Sequence, residues 1–175
     1  MSDLRFNVAQ LLQQHIGATR QYEFTDPMLN LGEGLELQPI SGTVKFTRTK
    51  NGVLAQTTVE GAIVIECVRC LTDFAQPVTV SFDEEYHATV HPTTGSPLPD
   101  PEEADMFRIN SNHLLDLGDA VREYALLALP IAPICREDCR GLSQSGVNLN
   151  EEPEANTDAD EVIDERLAAL KQLLI

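Results

Sequence analysis

The chain reads AIVIECVRC from Ala62 to Cys70, an apolar run that leads directly into a pair of cysteines. Four consecutive apolar residues, Ala62–Ile65, are typical of a strand buried on both faces of a sheet. Before and after this run, apolar residues alternate with polar ones, as they do at Val44, Phe46, Val78, Val80 and Phe82. The period of two predicts an antiparallel meander over residues 33–90, with the apolar run as its central strand.

A hairpin is predicted before this strand, where Thr49-Lys50-Asn51-Gly52 separates two alternating segments. Asn-Gly is a strong hairpin signal because both central residues of a type I′ turn require positive φ. We therefore expect Asn51 and Gly52 to adopt left-handed conformations.

Helical spacing occurs at both ends of this region. Apolar residues from Val8 to Ile16 predict a short helix with Asn7 as its N-cap, and Val121–Ala128 predicts a second helix that ends before Pro130. Asp116 is the expected cap of the second helix. The predicted fold class is α+β: an antiparallel, partly barrel-like sheet with packed helices and two cysteine knuckles.

The length of 175 residues fits one domain with a tail. We expect residues 1–150 to form a single mixed α+β domain that contains the knuckles at 67–70 and 135–139. Residues 151–175 are expected to form an acidic linker and a C-terminal helix. At about 12 residues that helix is marginal alone, so it is expected to dock on the body or on a partner.

The four cysteines form two closely spaced pairs, Cys67 with Cys70 and Cys135 with Cys139. Both spacings fall within the two to four intervening residues found in zinc sites, and two such pairs supply four soft ligands. A structural zinc bound by all four cysteines is the leading interpretation. Reduced thiols without metal, and a redox or disulfide role, remain open at this point.

Charge is distributed unevenly along the chain, whose net charge is −16. Residues 83–107 carry seven acids and no Lys or Arg, and residues 151–165 carry eight acids and again none. The other residues carry 13 acids against 12 Lys and Arg. The whole chain is therefore a poor candidate for binding RNA through its overall charge, since non-specific attraction to nucleic acid needs a cationic face. The acidic blocks are interpreted as solvated loops or as docking surfaces for a basic partner.

Local groups of cations are the candidate RNA contacts. Arg69 lies inside the first knuckle, Arg136 and Arg140 lie in and beside the second, and Lys45, Arg48 and Lys50 lie near the predicted hairpin. The three arginines either compensate the negative charge of a four-thiolate zinc site or contact phosphate. The hairpin cations either contact phosphate or serve solubility.

Signatures of catalysis are absent from the sequence. His15, His87, His91 and His113 do not form a metal-binding pair by spacing, and each is interpreted as a surface or packing residue. No glycine-rich phosphate loop and no Gly-x-Ser-x-Gly elbow is present. We expect no enzyme activity; a thiol- or metal-dependent enzyme that uses the cysteine pairs is the alternative.

The N-terminal residues lack the basic and apolar regions of a signal peptide, and no stretch has the length of a membrane span. We therefore expect a cytoplasmic protein with no membrane partner, under conditions that keep thiols reduced.

Several linked motifs resemble the YceD family, whose members are described as large ribosomal RNA subunit accumulation proteins. The motifs are Cys67-x-x-Cys70-Leu71, Leu127-Ala128-Leu129-Pro130, Cys135-x3-Cys139-x-Gly141-Leu142, Gly146-x-Asn148-Leu149-Asn150 and Asp164-x-Arg166-Leu167-Ala168-Ala169-Leu170. Many members follow Gly-Leu with a further C-x-x-C-G, where this chain has Ser143-Gln144-Ser145-Gly146. The resemblance implies a role in accumulation of the large-subunit (23S) rRNA or its precursor, with that RNA or a basic ribosomal or assembly protein as partner.

Overall fold

The structure is a computed structural model that describes residues 4–99 and 106–153. Its strands are β1 (Arg5–Asn7), β2 (Thr19–Asp26), β3 (Leu29–Gly32), β4 (Leu35–Leu37), β5 (Ile40–Arg48), β6 (Gly52–Glu66), β7 (Asp73–Ala88), β8 (Arg108–Ile109) and β9 (Leu114–Asp116). The described helices are α1 (Ala9–Leu12) and α2 (Gly118–Leu127). The prediction of an antiparallel sheet accompanied by a few helices is confirmed.

Seven strands form the main sheet, in the order β2-β5-β6-β4-β3, with β7 on β6 and β8 on β7. The β2–β5, β5–β6, β4–β6 and β3–β4 pairings are antiparallel, whereas β7 and β8 are parallel. β1 and β9 form a separate antiparallel pair. Because no pairing joins β2 or β3 to β7 or β8, the described strands do not close into a barrel; the partly barrel-like character of the sheet stays a prediction.

The β5–β6 hairpin lies where the sequence predicts it, with Arg48 opposite Val53. Its turn differs from the prediction, because neither Asn51 nor Gly52 has positive φ. A hydrogen bond of 3.1 Å from Thr49 N to Gly52 O closes the four-residue connection. Glycine is required at position 52 by packing rather than by a positive φ, because a Cβ there would overlap the carbonyl oxygen of Tyr86. The type I′ prediction is therefore wrong, although the hairpin itself is confirmed.

The apolar run in β6 is covered on one face only. Ile63 is fully buried and pairs with Leu37 of β4, whereas the side chain of Val64 is 50% exposed. The expectation that both faces of this run are buried is therefore wrong at Val64.

The N-caps of both helices lie one residue after the predicted Asn7 and Asp116, at Val8 and Leu117, and α1 is shorter than predicted. α1 has only four residues and ends well before Ile16, and Asn7 Oδ1 accepts a hydrogen bond of 3.0 Å from Ala9 N at its start. Asp116 Oδ1 accepts one of 2.8 Å from Gly118 N at the start of α2. α2 ends at Leu127, before Pro130, as expected.

The described residues group into two compact units, the first formed by residues 4–65 and 74–133 apart from 100–105, and the second by 66–73 and 134–153. The main hydrophobic core belongs to the first unit, where Phe6 packs against the rings of Tyr22, Phe24 and Phe46. The single domain predicted over 1–150 and the acidic linker with a helix over 151–175 stay predictions, and residues 154–175 lie outside the described residues.

Candidate metal centre

All four cysteines lie in the second unit, and their Sγ atoms all lie within 4.8 Å of one another. Cys67, Cys70 and Cys139 are buried, and Cys135 is half-buried. The structure thus brings together the four residues that the sequence spacing selects.

The first pair is held by a tight loop between β6 and β7. Leu71 N donates a hydrogen bond of 2.9 Å to Cys67 O, and Cys67 N donates one of 3.0 Å to Thr72 O. Leu71 adopts a φ of 56°, in the left-handed region that costs a bulky residue strain. This conformation turns the chain back after Cys70, so both sulfurs of the pair lie inside the loop.

The second pair is held by its own turn and by the segment that follows. Cys139 N donates a hydrogen bond of 3.1 Å to Arg136 O, and Leu149 N donates one of 3.0 Å to Gly141 O. Gly141 has a φ of 78°, and a Cβ at this position would lie 3.1 Å from the carbonyl oxygen of Arg69. Glycine therefore allows the segment after the second pair to approach the backbone of the first.

The distances between sulfurs fit a tetrahedral metal. Cys67 Sγ lies 3.9 Å from Cys139 Sγ, and Cys70 Sγ lies 3.7 Å from Cys135 Sγ. Four sulfurs arranged tetrahedrally at about 2.3 Å from zinc are about 3.8 Å apart. The four cysteines are free thiols rather than disulfides. Donor type, number and spacing therefore all suit zinc.

Hydrogen bonds to sulfur favour thiolate at two of the positions. Burial raises the pKa of Cys67, but backbone N–H groups of Cys70, Cys135 and Arg69 outweigh it, so that this pKa falls to about 6. The bond from Cys135 N to Cys67 Sγ is 3.3 Å. Burial also raises the pKa of Cys139, and the amide of Asn150, at 3.4 Å from Cys139 Sγ, contributes to lowering it overall.

Cys135 shows the opposite shift. Burial, together with its hydrogen bonds to the sulfurs of the other three cysteines, raises its pKa to about 12. Four adjacent thiolates repel one another, so full ionisation of the cluster requires a compensating cation. A divalent metal supplies that charge and deprotonates the remaining thiols.

The second unit has few other groups to stabilise it. Apart from three cysteines and Gly141, Leu149 is the one buried residue in the described part of this unit. Units with so small a core usually need disulfides or a metal to fold. The burial pattern is therefore the pattern expected of a metal-stabilised unit.

The three arginines near the knuckles are placed differently from one another. Arg69 Nη1 donates to the carbonyls of Glu137 and Cys139 at 3.4 and 3.1 Å, so it connects the two knuckles. Arg136 donates to Asn150 Oδ1 at 2.8 Å and pairs with Asp138 at 3.2 Å. The side chain of Arg140 is exposed and has no hydrogen-bond or ion-pair partner among the described residues.

The hairpin cations belong to the first unit. Lys45 and Lys50 are exposed. The half-buried Arg48 donates to the carbonyls of Leu12, Thr49 and Gly52, and burial lowers the pKa of its guanidinium. Arg48 therefore fixes the end of the hairpin.

Several functional positions are not found by reasoning from the sequence. Asn150 holds Cys139 Sγ, the Arg140 backbone N–H and the Arg136 guanidinium, and the Asn148-Leu149-Asn150 motif was its only signal. His87 and His91 line one cleft of the first unit, although each was predicted to be a surface or packing residue.

Three adjacent acids of β7 have separate partners in the first unit. Glu84 accepts a hydrogen bond from the Tyr124 hydroxyl, Glu85 accepts one from Thr49, and Asp83 accepts one from Gln56. Their carboxylates do not converge on a common point.

Comparison with known proteins finds relatives among mycobacterial proteins. An uncharacterized protein of Mycobacterium tuberculosis (strain H37Rv) is 35% identical over 132 residues, which are 75% of this chain and 60% of that protein. An uncharacterized protein of Mycobacterium leprae is 31% identical over 127 residues, or 69% of this chain and 56% of that protein. The matched region thus spans less than two thirds of these relatives.

No solved structure matches the chain. No helix in the described part is long and apolar enough to cross a bilayer. A family model described as "Large ribosomal RNA subunit accumulation protein YceD" matches residues 55–174, a range that includes both knuckles. This protein belongs to the YceD family.

Proposed function

We propose that this protein is a non-catalytic ribosome-biogenesis factor that promotes accumulation of the large-subunit (23S) rRNA or its precursor. The observation that carries the proposal is the family match over residues 55–174. The cytoplasm, where thiols stay reduced, is the proposed location, and the four free cysteines agree with it.

The proposed cofactor is one structural zinc held by Cys67, Cys70, Cys135 and Cys139. Its support is the spacing of the sulfurs, the N–H donors directed at Cys67 and Cys139, and the small core of the second unit. When bound, zinc cross-links the two knuckles and so stabilises a unit that has too few packed side chains to be stable without it. Arg69 joins the first knuckle to the second, and Asn150 holds the second knuckle at Cys139.

The non-catalytic role is supported by the composition of the ligand set. Structural zinc sites have four protein ligands, whereas catalytic sites keep one position open for water or substrate. Four cysteines complete the set here. The alternative function, a thiol- or metal-dependent enzyme, requires a reactive or incompletely bound cysteine instead.

The proposed partner is the large-subunit rRNA precursor. Of the residues proposed to contact it, Arg140 is supported best because its guanidinium is exposed and unpaired in the described part of the chain. The guanidinium groups of Arg69 and Arg136 donate hydrogen bonds within the second unit. A second patch proposed to contact the RNA consists of Lys45, Arg48 and Lys50. The alternative partner is a basic ribosomal or assembly protein that docks on the acidic blocks.

The test is the ratio of large- to small-subunit rRNA, precursors included, in cells that lack the gene. We expect a selective loss of the large-subunit species, restored by the wild-type gene and by Ser145→Ala but not by Cys70→Ser. Ser145 is an exposed residue of the same unit and serves as the matched control. An unchanged ratio in the deletion strain would overturn the proposal.

A further inference from the structure

A cleft in the first unit has the size of a small-ligand site. Its volume is about 660 Å³, and its walls come from the end of α1, the β5–β6 connection and the chain from His87 to Pro99. Ligand sites for molecules of nucleotide size have volumes of about 300–1,000 Å³. Arg48 and Lys50 of its lining belong to the patch proposed above to contact RNA, but that proposal assigns no role to the cleft itself.

The charge of the cleft differs from that of the chain as a whole. Its lining contains Arg48, Lys50 and the imidazoles of His87 and His91, and it contains no carboxylate. The chain carries 28 acids against 12 Lys and Arg, so a lining of this kind is unexpected by composition. Glu85 lies beside it, with Oε2 at 4.0 Å from His87 Nε2, and its other oxygen accepts a hydrogen bond from Thr49.

Hydrogen-bond donors are available on both sides of the cleft. His91 Nδ1 accepts hydrogen bonds of 3.3 Å from the backbone N–H groups of Thr93 and Thr94. The neutral ring therefore carries its proton on Nε2, which makes that atom a donor. On the other side, Lys50 is exposed and provides an ammonium group with three donors.

Hydrogen bonds between the walls hold the cleft open in one arrangement. Ala88 N donates to Asn51 O at 3.0 Å, which joins β7 to the hairpin connection. Gln13 Nε2 donates to Pro92 O at 3.2 Å, which joins α1 to the loop. A site ordered before binding loses less entropy when a ligand enters.

We propose that this cleft binds a phosphate group, carried either by a free nucleotide or by a single-stranded RNA. Lys50 and the Nε2–H of His91 contact the phosphate, and the positive charge of Arg48, fixed by its three carbonyl partners, adds to the attraction. The apolar part of the lining, which includes Leu12 and Leu98, accommodates the nucleoside. This inference rests on the first unit alone and does not depend on the metal centre.

The test uses the ¹⁵N-labelled full chain, titrated with adenosine 5′-monophosphate, with adenosine and with a single-stranded RNA hexamer. We expect resonances of the cleft to shift with the nucleotide, the RNA or both, and not with adenosine. Lys50→Ala should weaken binding about tenfold because a charge-assisted hydrogen bond to phosphate is lost. Arg122→Ala is the matched control, since it removes one positive charge from an exposed position of the same unit that lies outside the cleft and outside the proposed RNA contacts.

The outcomes separate the two sources of phosphate. Shifts with the mononucleotide that Lys50→Ala weakens identify a nucleotide site. Shifts with RNA alone, lost in Lys50→Ala, identify a contact to the RNA backbone, and its affinity should fall with salt. Absence of cleft shifts with either ligand at millimolar concentration overturns the inference, as does an equal loss of affinity in Arg122→Ala and Lys50→Ala. Neither result depends on the rRNA ratio, so the two proposals can fail separately.

Discussion

Tyr86 carries a hydroxyl that is buried in the first unit and has no hydrogen-bond partner among the described residues. Burial, and then the negative charges of Glu84 and Asp116, raise the pKa of this phenol above its ordinary value. The folded state therefore keeps a proton that the unfolded chain releases near pH 10.

We expect Tyr86→Phe to leave the free energy of unfolding at pH 7 unchanged or to raise it by up to about 1 kcal/mol, because an unpaired buried hydroxyl is costly. A raised pKa contributes stability that is fully present below about pH 10 and is lost as pH rises above it. Urea should therefore unfold the wild type more easily above that pH. For each pH unit above it, the free energy of unfolding of Tyr86→Phe should fall by about 1.4 kcal/mol less than that of the wild type. A loss of more than about 1 kcal/mol at pH 7 would mean that the hydroxyl has a stabilising partner.

Sequence spacing was sufficient to predict that the four cysteines lie together, because each pair is separated by one short turn; that they are the ligands of one metal stays a prediction. It could not identify Leu71 as left-handed, since bulky residues rarely adopt that conformation and no local signal marks the exception. Asn150 was missed for a related reason: its role depends on contacts with the second knuckle, 11 residues away from Cys139.

At the scale of elements, the β5–β6 hairpin was predicted in the correct place but for the wrong reason. Asn-Gly located the turn, but the φ angles of Asn51 and Gly52 are not those of type I′. The constraint on Gly52 comes from Tyr86, a residue of β7, and such long-range contacts cannot be recognised in a four-residue pattern.

Gly52→Ala should therefore destabilise the protein by about 2 kcal/mol or more, because the backbone must shift to relieve the overlap with the Tyr86 carbonyl. Asn51→Ala, in the same turn, should change stability by less than about 0.5 kcal/mol, since Asn51 is exposed and not left-handed. Thermal unfolding of both variants is the measurement. Equal losses in the two would favour the type I′ turn instead.

The main sheet followed from alternation because one covered face imposes a period of two on the sequence. An unbroken apolar run carries no such information about faces, which is why Val64 was expected to be buried and is half exposed. The helices show a similar limit. Their N-caps, Val8 and Leu117, lie one residue after the predicted Asn7 and Asp116, and α1 ends four residues before Ile16, the last apolar residue of its predicted span, because the apolar pattern continues into a turn.

For the whole molecule, the two units differ in what stabilises them. The first has a continuous core of aliphatic and aromatic side chains. The second buries mainly cysteines in its described part, so we expect its stability to depend on the zinc proposed for those cysteines. The cleft at His87 and His91 was not predictable, because it forms from α1, a hairpin and a loop that are distant in sequence.

The central claim is that four cysteines hold one structural zinc, and metal content of the purified full chain tests it most directly. We expect about one zinc per chain, thiols that resist alkylation until a chelator is added, and loss of both zinc and thermal stability in Cys70→Ser but not in Ser145→Ala. A chain that contains no zinc after purification, does not bind added zinc, and has four rapidly alkylated thiols would contradict the account.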